Sequence, residues 1–434
     1  MELDFTDRSG ECARAVEDIR KSGYWLDDRQ IGASFGRVLP PTCADLLTIA
    51  LCCYTADRTS PRGRDWSRDL SLRIPVLDSA KWGTARVERL EGWLTLLTGD
   101  EWNLTLLSRR AARSSESQLA LDLPDDAPRA AALFSGGLDS YAGAGIWLER
   151  NKAGVLVLVG AQSSTVVGAV QGRLFRRLAD AYPGRVRFVA VPLHLAESVS
   201  RDSWQRTRGF VYHALVSSVA DVAQAPEAIV FENGYGALNP RLGEQQRGAQ
   251  TTKSTHPWIV SGWNQISGLL DFGAQTTLPH RWHTKAEVLS AMPSSLWAGI
   301  RDTESCDAFP LRRRFVKQCG ECGSCVLRRQ ALTAAGLADQ DRTDYAKDLL
   351  GPNDVTRLMA YQAWQFRALT TADWGRIELR WPEVTLGRTG QLPIDVELDL
   401  DLLRRYASEW ETIARQDPQR GGAFAWPVES GRVA

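Results

Sequence analysis

The chain has 434 residues, more than one hydrophobic core usually supports, so two or three domains are expected. Hydrophobic residues make up 44% of the chain and charged residues 24%, as in ordinary globular proteins. The 52 Lys and Arg residues balance the 52 Asp and Glu residues, and a net charge of zero argues against nucleic acid as a stable partner. The polar N-terminus lacks the apolar core of a signal peptide, and no segment has the ~18 apolar residues that span a bilayer. We therefore expect no membrane association and a cytoplasmic location.

The first 128 residues predict an accessory α+β domain, because helix- and strand-like segments occur there without a nucleotide-binding motif. Its expected elements are, in chain order, an apolar helix at 45–59, a strand at 69–78, an amphipathic helix at 82–100 and a strand from Glu101. The polar, proline-containing stretch 114–129 is a candidate linker to the next domain, or else a long surface loop within one larger domain.

A second domain, residues 129–335, predicts a doubly wound α/β fold with a parallel sheet. Apolar strands are expected at 131–134, 155–160, 186–195 and 228–234, and helices at 140–151, 170–181 and 207–224. Continuous apolar strands that alternate with helices form parallel sheets that are covered on both faces. Ligands of such sheets bind at the carboxyl ends of the strands, and this rule brings the loop 135–140, Gln162 and Glu232 to one cleft.

The remaining residues, 336–434, predict a mostly helical C-terminal extension. Within it we expect a strand pair around 374–384 and a final helix at 400–416.

Residues 134–140 read FSGGLDS and connect the first expected strand of the second domain to a helix. Two adjacent glycines allow a tight turn, and the unpaired N–H groups at the start of the helix suit a phosphate group. No lysine follows, as it would in the loop of ordinary P-loop hydrolases. The pattern SGGxDS resembles instead the PP-loop of ATP-dependent adenylating enzymes. A Gly-Gly turn without such a function is the alternative.

Four of the eight cysteines, Cys306, Cys319, Cys322 and Cys325, have the spacing C-x12-C-x2-C-x2-C. Cysteines two residues apart hold a tetrahedral metal from a tight turn, and four thiolates complete the closed shell of a structural zinc site. Disulfides are one alternative, which a chain without a signal peptide disfavours. An iron–sulfur cluster is another, because C-x2-C-x2-C also occurs there. We expect Zn²⁺.

Four segments resemble the 7-cyano-7-deazaguanine synthase (QueC) family of PP-loop enzymes. They are FSGGLDS, TRGFVYHALVSSVA (207–220), FENGYGALNP (231–240) with TTKSTHP (251–257), and HTKAEVL (283–289) before the cysteine block. The resemblance implies a fold of the PP-loop, adenine-nucleotide α-hydrolase type and a C–N ligase that uses ATP and Mg²⁺ and releases pyrophosphate. It also implies 7-carboxy-7-deazaguanine as the substrate. In the family, ammonia converts the adenylated carboxylate to an amide, and a second ATP dehydrates the amide to a nitrile.

The resemblance implies roles for individual residues. ATP and Mg²⁺ would be held by Phe134, Ser135, Gly136, Gly137, Leu138, Asp139, Ser140 and Gln162, with Asp139 and Ser140 also catalytic. Lys285 would be a second catalytic cation on the phosphates, or else a solvated helix lysine. Arg208 could pair with a carboxylate or a phosphate. The deazapurine would be bound by Glu232, Asn233, Gly234, Asn239 and His256, although Asn-Gly and Asn-Pro are also turn dipeptides and a lone histidine is as often structural.

The additional N-terminal and C-terminal regions depart from the free-standing synthases. This architecture resembles the QueC-like component of Qat-type antiphage systems, in which an amine of a partner protein from the same operon could replace ammonia. Two other functions stay open. A tRNA-modifying PP-loop ligase or thiolase would require an RNA-binding region rich in Lys and Arg. An inactive nucleotide-binding scaffold of a defence complex is the other, and the intact SGGLDS loop argues against it.

Overall fold

The structure of the protein is a computed structural model that describes residues 2–5, 24–63, 67–109, 129–195, 205–243, 253–309, 318–347, 354–386 and 396–416. The described part is an α/β protein with parallel sheets and a cluster of four cysteines. None of the helices within these ranges is long and apolar enough to cross a membrane. The candidate linker at 114–129 lies, except for its last residue, outside the described residues, as does the domain boundary expected there.

The strands are β1 (Glu2–Asp4), β2 (Tyr24–Leu26), β3 (Asp69–Val76), β4 (Glu101–Ser108), β5 (Arg129–Leu133), β6 (Val155–Gln162), β7 (Val186–Leu195), β8 (Glu227–Ile229) and β9 (Gln275–Thr277). The helices of the first two regions are α1 (Arg29–Phe35), α2 (Pro41–Thr59), α3 (Thr84–Thr98), α4 (Leu138–Arg150), α5 (Thr165–Ala181), α6 (Arg208–Val222), α7 (Gly234–Leu238), α8 (Pro257–Leu269), α9 (Lys285–Ser290) and α10 (Gly323–Ala334). The C-terminal helices are α11 (Asp354–Phe366), α12 (Trp374–Arg380), α13 (Pro382–Thr385) and α14 (Val396–Gln416). Short 3-10 helices lie at Ser294–Asp302, Ala338–Gln340 and Thr371–Asp373.

A six-stranded sheet with the order β2-β7-β6-β5-β8-β9 forms the centre of the described fold. Its strands are parallel except for β2, which pairs antiparallel with β7 at one edge. From β5 the chain adds β6 and β7 on one side, and later β8 and β9 on the other. The strand order therefore reverses at β5, and such a switch point is where open parallel sheets bind their ligands.

Apolar cores cover both faces of this sheet, as the sequence predicts for a doubly wound fold. Ala131 of β5 faces one core, whereas Ala130 and Ala132 face the other. Val157 and Leu158 of β6 divide in the same way. Because neither face meets solvent, both sets of alternating residues are apolar, which explains the continuous apolar runs in the sequence.

The N-terminal region forms a second sheet with the order β1-β3-β4, and its three strands are all parallel. The helix α3 connects β3 to β4, so this region is an α/β unit and the expected α+β arrangement is wrong. The strand pattern in the sequence carries no direction, but a helix between two neighbouring strands makes a parallel crossover. The region is joined to the central sheet, because β2 lies at its edge and α2 packs against α6 in one shared core.

The described parts of the C-terminal region are mostly helical, as expected. The strand pair expected at 374–384 is wrong, because α12 and α13 occupy these residues. The buried residues Trp374, Ile377, Trp381 and Val384 recur at intervals of three and four, which is the period of a helix face. The final helix α14 contains the expected segment 400–416 and begins earlier, at Val396.

Candidate functional site

The loop after β5 has the geometry of a phosphate-binding turn. Gly137 is the N-cap residue of α4. The hydroxyl of Ser135 accepts a hydrogen bond from the Gly137 backbone N–H at 3.1 Å. The hydroxyl of Ser140 donates to the Gly137 carbonyl at 3.0 Å and lies 3.3 Å from the Ser135 hydroxyl. Phe134 and Leu138 are buried in the core, so only their backbone groups can face a ligand. The loop thus presents the N-terminus of a 13-residue helix at the switch point of the sheet.

Gly136 satisfies a backbone requirement of this loop. Its φ of 83° lies in the left-handed region, and an added Cβ would come within 2.9 Å of Val170 Cγ1. The Gly136 carbonyl accepts a hydrogen bond from Glu304 N at 3.0 Å. Glycine is therefore required at this position both for the turn and for the close approach of α5.

Asn233 connects the loop to the neighbouring strand β8. Its side-chain amide donates to Asp139 Oδ1 at 3.0 Å and to Glu232 Oε1 at 2.8 Å. Its side-chain oxygen accepts from Gly236 N at 2.9 Å and so caps α7. The strand expected at 228–234 is therefore too long, because it ends at Ile229 and Gly234 already begins a helix. One amide holds two carboxylates together at the carboxyl edge of the sheet.

Lys285 completes this cluster from the opposite side. Its buried ammonium group forms an ion pair with Asp139 Oδ2, so the alternative of a solvated helix lysine does not describe it. Lys285 is the first residue of α9, whose N-terminus has a capping box: Glu287 N donates to Thr284 Oγ1 at 3.2 Å, and Thr284 N donates to Glu287 Oε2 at 2.9 Å. The capping box fixes where α9 begins and hence where the Lys285 side chain starts. We call Asp139, Glu232, Asn233 and Lys285 the carboxylate cluster.

The cluster shifts the protonation of one carboxyl group. Burial is the main cause, and the negative charge of Asp139 the second, that raises the pKa of Glu232 to about 8, although the positive charge of Lys285 opposes the shift. Two carboxylates that share one amide and one ammonium group carry an excess of negative charge when both are ionised. In the absence of a further cation, the proton therefore stays on Glu232 at neutral pH.

Two further residues position the loop and were not singled out in the sequence. Gln171 of α5 is buried and donates to the Phe134 carbonyl at 2.9 Å. Glu304 contacts the loop through its backbone, as described above. A buried glutamine on the apolar face of an amphipathic helix is a signal that the sequence offers for the first, whereas a backbone contact leaves no signal in the side chains.

Other residues expected at the site lie apart from the hydrogen bonds of the carboxylate cluster. Arg208 is exposed at the start of α6, where its guanidinium group contacts Gln205 at 3.2 Å and lies over the Tyr212 ring. Gln162 ends β6 and packs against Gly168 at the beginning of α5. Asn239 ends α7 with a φ of 45°, which is a turn role.

His256 is held on both sides of its ring. Its Nδ1 accepts from Trp258 N at 3.2 Å, and its Nε2 contacts the Glu383 carbonyl at 2.7 Å. The acceptor role of Nδ1 places the proton of the neutral ring on Nε2. Burial lowers the pKa of His256 to about 4, so the ring is neutral at physiological pH. These contacts cap α8 and connect it to the C-terminal helices.

The four cysteines of the expected metal site meet in the structure. Their sulfur atoms all lie within 4.8 Å of one another, and Cys319 and Cys325 are 3.9 Å apart. Metal–sulfur distances near 2.3 Å in a tetrahedral site place the sulfurs about 3.8 Å apart. The Cys319 sulfur also accepts hydrogen bonds from two backbone N–H groups of the turn, those of Glu321 at 3.4 Å and Cys322 at 3.3 Å. The group could therefore hold a metal ion such as zinc.

The comparisons with known proteins give no family for this chain. No protein-family model matches the chain, and no curated protein matches it either.

Proposed function

We propose that this protein is a PP-loop enzyme that uses ATP to adenylate an organic carboxylate of the 7-deazaguanine class and then transfers it to an amine. One observation carries the proposal. The SGGLDS loop lies at the switch point of a doubly wound sheet, with Asp139 joined there to Glu232 through Asn233 and to the buried Lys285. A turn without a function has no need for two carboxylates and a lysine at the N-terminus of the helix that it begins.

The residues fit a magnesium–triphosphate ligand. Mg²⁺ prefers oxygen ligands and commonly uses one or two carboxylates together with phosphate oxygens. Asp139 and Glu232 offer such oxygens, and Mg²⁺ when bound would neutralise charge on the leaving pyrophosphate. The N–H groups at the start of α4 would bind the β- and γ-phosphates. The Lys285 ammonium group would supply a second positive charge there.

The proposed reaction has two balanced steps. A carboxylate oxygen attacks the α-phosphorus of ATP, the bond to the β-phosphate oxygen breaks, and pyrophosphate leaves. The amine nitrogen then attacks the acyl carbon, AMP leaves with the electrons of the acyl–oxygen bond, and the amine loses a proton to solvent or a nearby base. Placing both reactants at one strand edge supplies the proximity that such an acyl transfer requires.

The deazaguanine substrate rests on the likeness of four sequence segments to the QueC family. The same likeness, together with the N-terminal and C-terminal regions that free-standing synthases lack, supports a role in an antiphage system with an amine of a partner protein as the acceptor. A metal site of four cysteines is a further shared feature, and we propose Zn²⁺ as its metal with a structural role.

The test measures pyrophosphate release from ATP with 7-carboxy-7-deazaguanine, with bulk tRNA, and with neither. We expect release only with the deazaguanine acid, together with a change of its mass. Lys285→Met should reduce the rate, whereas Lys152→Met, which alters a lysine with a 71% exposed side chain, should not. Release only with tRNA would identify a tRNA-modifying ligase instead, and no release under any of the three conditions would leave a nucleotide-binding scaffold.

A further inference from the structure

The C-terminal helix α14 contacts both elements whose side chains hold Asp139. These are α7, which Asn233 caps, and the N-terminus of α9, which begins at Lys285. Tyr406 of α14 stacks on Tyr235 of α7, with the ring centroids 4.2 Å apart. Gly234, the residue after Asn233, is so close to α14 that an added Cβ would collide with Leu402 and with a backbone carbonyl. The position of Asn233 is therefore set in part by α14.

The same helix reaches the N-terminus of α9 through Glu409. Thr284 Oγ1 donates a hydrogen bond to Glu409 Oε1, and Gln330 of α10 donates to Glu409 Oε2 at 3.0 Å. Thr284 is the cap of α9 and directly precedes Lys285. Glu409 is half-buried, and burying a carboxylate is costly unless hydrogen bonds satisfy it. Its two donors come from two different helices, so Glu409 ties α14, α9 and α10 together.

Arg405 adds a second connection on the other side of the cap. Its guanidinium group pairs with Glu287, the other member of the capping box, and donates to the Trp282 carbonyl at 2.8 Å. Arg405 and Glu409 are one helical turn apart on α14, so that one face of the helix holds both partners of the capping box.

We infer that Glu409 is a positioning residue: by holding the Thr284 cap it sets the place of the Lys285 ammonium group relative to Asp139. The inference deepens the proposed function and rests on it, because the position of Lys285 matters only if that lysine serves the phosphates. It gives the C-terminal region, which lies outside the adenylating core, a direct part in building the site.

The experiment compares Glu409→Ala, Glu409→Gln and Glu411→Ala in the full chain. Glutamine keeps the shape of the side chain and an oxygen for Thr284, while Gln330 can turn its amide to present its own oxygen, which has no hydrogen-bond partner among the described residues. Glu411 is the matched control, since it is also a glutamate of α14 but pairs with the arginines Arg367 and Arg415.

Two measurements are made on each variant. Hydrogen exchange of the peptide 281–290 reports the order of the α9 N-terminus without any need for turnover. Calorimetric binding of ATP with Mg²⁺, in the absence of an acid substrate, reports the phosphate site. For Glu409→Ala we expect faster exchange and about tenfold weaker ATP binding, the size expected for one displaced charge contact. Glu409→Gln should recover most of both, and Glu411→Ala should match the wild type.

A double variant decides whether Glu409 acts through Lys285. If it does, Glu409→Ala adds little to the loss of ATP binding caused by Lys285→Met. Additive losses, or unchanged exchange in Glu409→Ala, would overturn the inference. If Lys285→Met binds ATP as the wild type does, the proposed phosphate role of Lys285 fails, and the exchange result then decides alone whether Glu409 orders α9.

Discussion

Asp139 is the residue that connects the SGGLDS loop to the rest of the carboxylate cluster. It is the only acid of the SGGLDS loop, and its two oxygens have different partners, Asn233 on one side and Lys285 on the other. Asn233 also contacts Glu232, so that three polar side chains converge on the first turn of α4. The positive end of a helix favours negative charge at this place, which offsets part of the repulsion between the two carboxylates.

If the carboxylate cluster binds Mg²⁺ as proposed, the raised pKa of Glu232 predicts that this binding depends on pH. The group has a pKa of about 8, so at pH 7 it is mostly protonated, and Mg²⁺ must displace that proton to use the carboxylate. We expect the affinity for Mg²⁺ with ATP to rise by about tenfold per pH unit below pH 8 and to level off above it. Calorimetry in two buffers of different ionisation enthalpy measures the proton that is released.

Glu232→Gln is the control for this prediction, because an amide has no proton to lose. The variant should bind Mg²⁺ with ATP more weakly at pH 8.5 and should show almost no change in affinity between pH 6.5 and 8.5. An unchanged pH slope in Glu232→Gln would show that another group is responsible. Protonation of Glu232 also affects the stability of the folded protein. Because the pKa of Glu232 is raised on folding, the contribution of Glu232 to the free energy of unfolding is greatest at low pH and is lost as the pH rises through 8.

At the scale of elements, the four cysteines are connected to the SGGLDS loop through a short segment. Glu304, which holds Gly136, lies two residues before Cys306. Its neighbour Thr303 is fixed by side chains from the cysteine block: Gln318 Nε2 donates to its carbonyl at 3.2 Å, and the buried Arg328 donates to its hydroxyl at 2.6 Å. We therefore expect the order of the four-cysteine turn to affect the order of the SGGLDS loop.

Substitution of one of the four cysteines should loosen this connection. We expect Cys322→Ser to lose one equivalent of bound metal and to speed hydrogen exchange in residues 133–140, because a structural zinc site with three thiolates holds its turn less firmly. Elemental analysis and exchange mass spectrometry measure the two effects. Cys43→Ser, a buried cysteine on α2, should retain the metal and leave the loop unchanged. Metal loss without any change at the loop would contradict the connection.

The elements whose signals are local could be predicted from the sequence, as the segment from β5 through the SGGLDS loop to α4 illustrates. The spacing of the four cysteines also predicted their meeting, since cysteines two residues apart are typical of tetrahedral metal sites. Trp374 and Ile377 lie three residues apart, and a helical period was present there although the segment was expected to be a strand pair. The contact of Glu409 with Thr284 could not be predicted, because it joins positions 125 residues apart and neither residue is unusual for a helix.

For the whole molecule, the two sheets share one buried ionic network. Asp57 of α2 is fully buried and pairs with Arg68 beside β3. It also accepts hydrogen bonds from the backbone N–H and the hydroxyl of Thr207, at 3.0 and 2.9 Å. Thr207 precedes α6, a helix that packs on the central sheet. The N-terminal region is therefore joined to the central one by hydrogen bonds of the buried Asp57 carboxylate as well as by apolar packing.

Removal of Asp57 should consequently destabilise both sheets together. Asp57→Ala leaves Arg68 buried with less compensating charge and leaves the start of α6 without its acceptor, so we expect a loss of about 3–5 kcal/mol in the free energy of unfolding. Asp4→Ala, which removes from β1 an exposed partner of Arg73 on β3, should cost at most about 1 kcal/mol. Urea unfolding followed by circular dichroism and by hydrogen exchange in β3 and β6 makes the comparison. If the two regions form one cooperative unit, the transitions of β3 and β6 move together in Asp57→Ala. A shift confined to β3 would show instead that the N-terminal sheet unfolds independently and that the shared core contributes little to the stability of the central sheet.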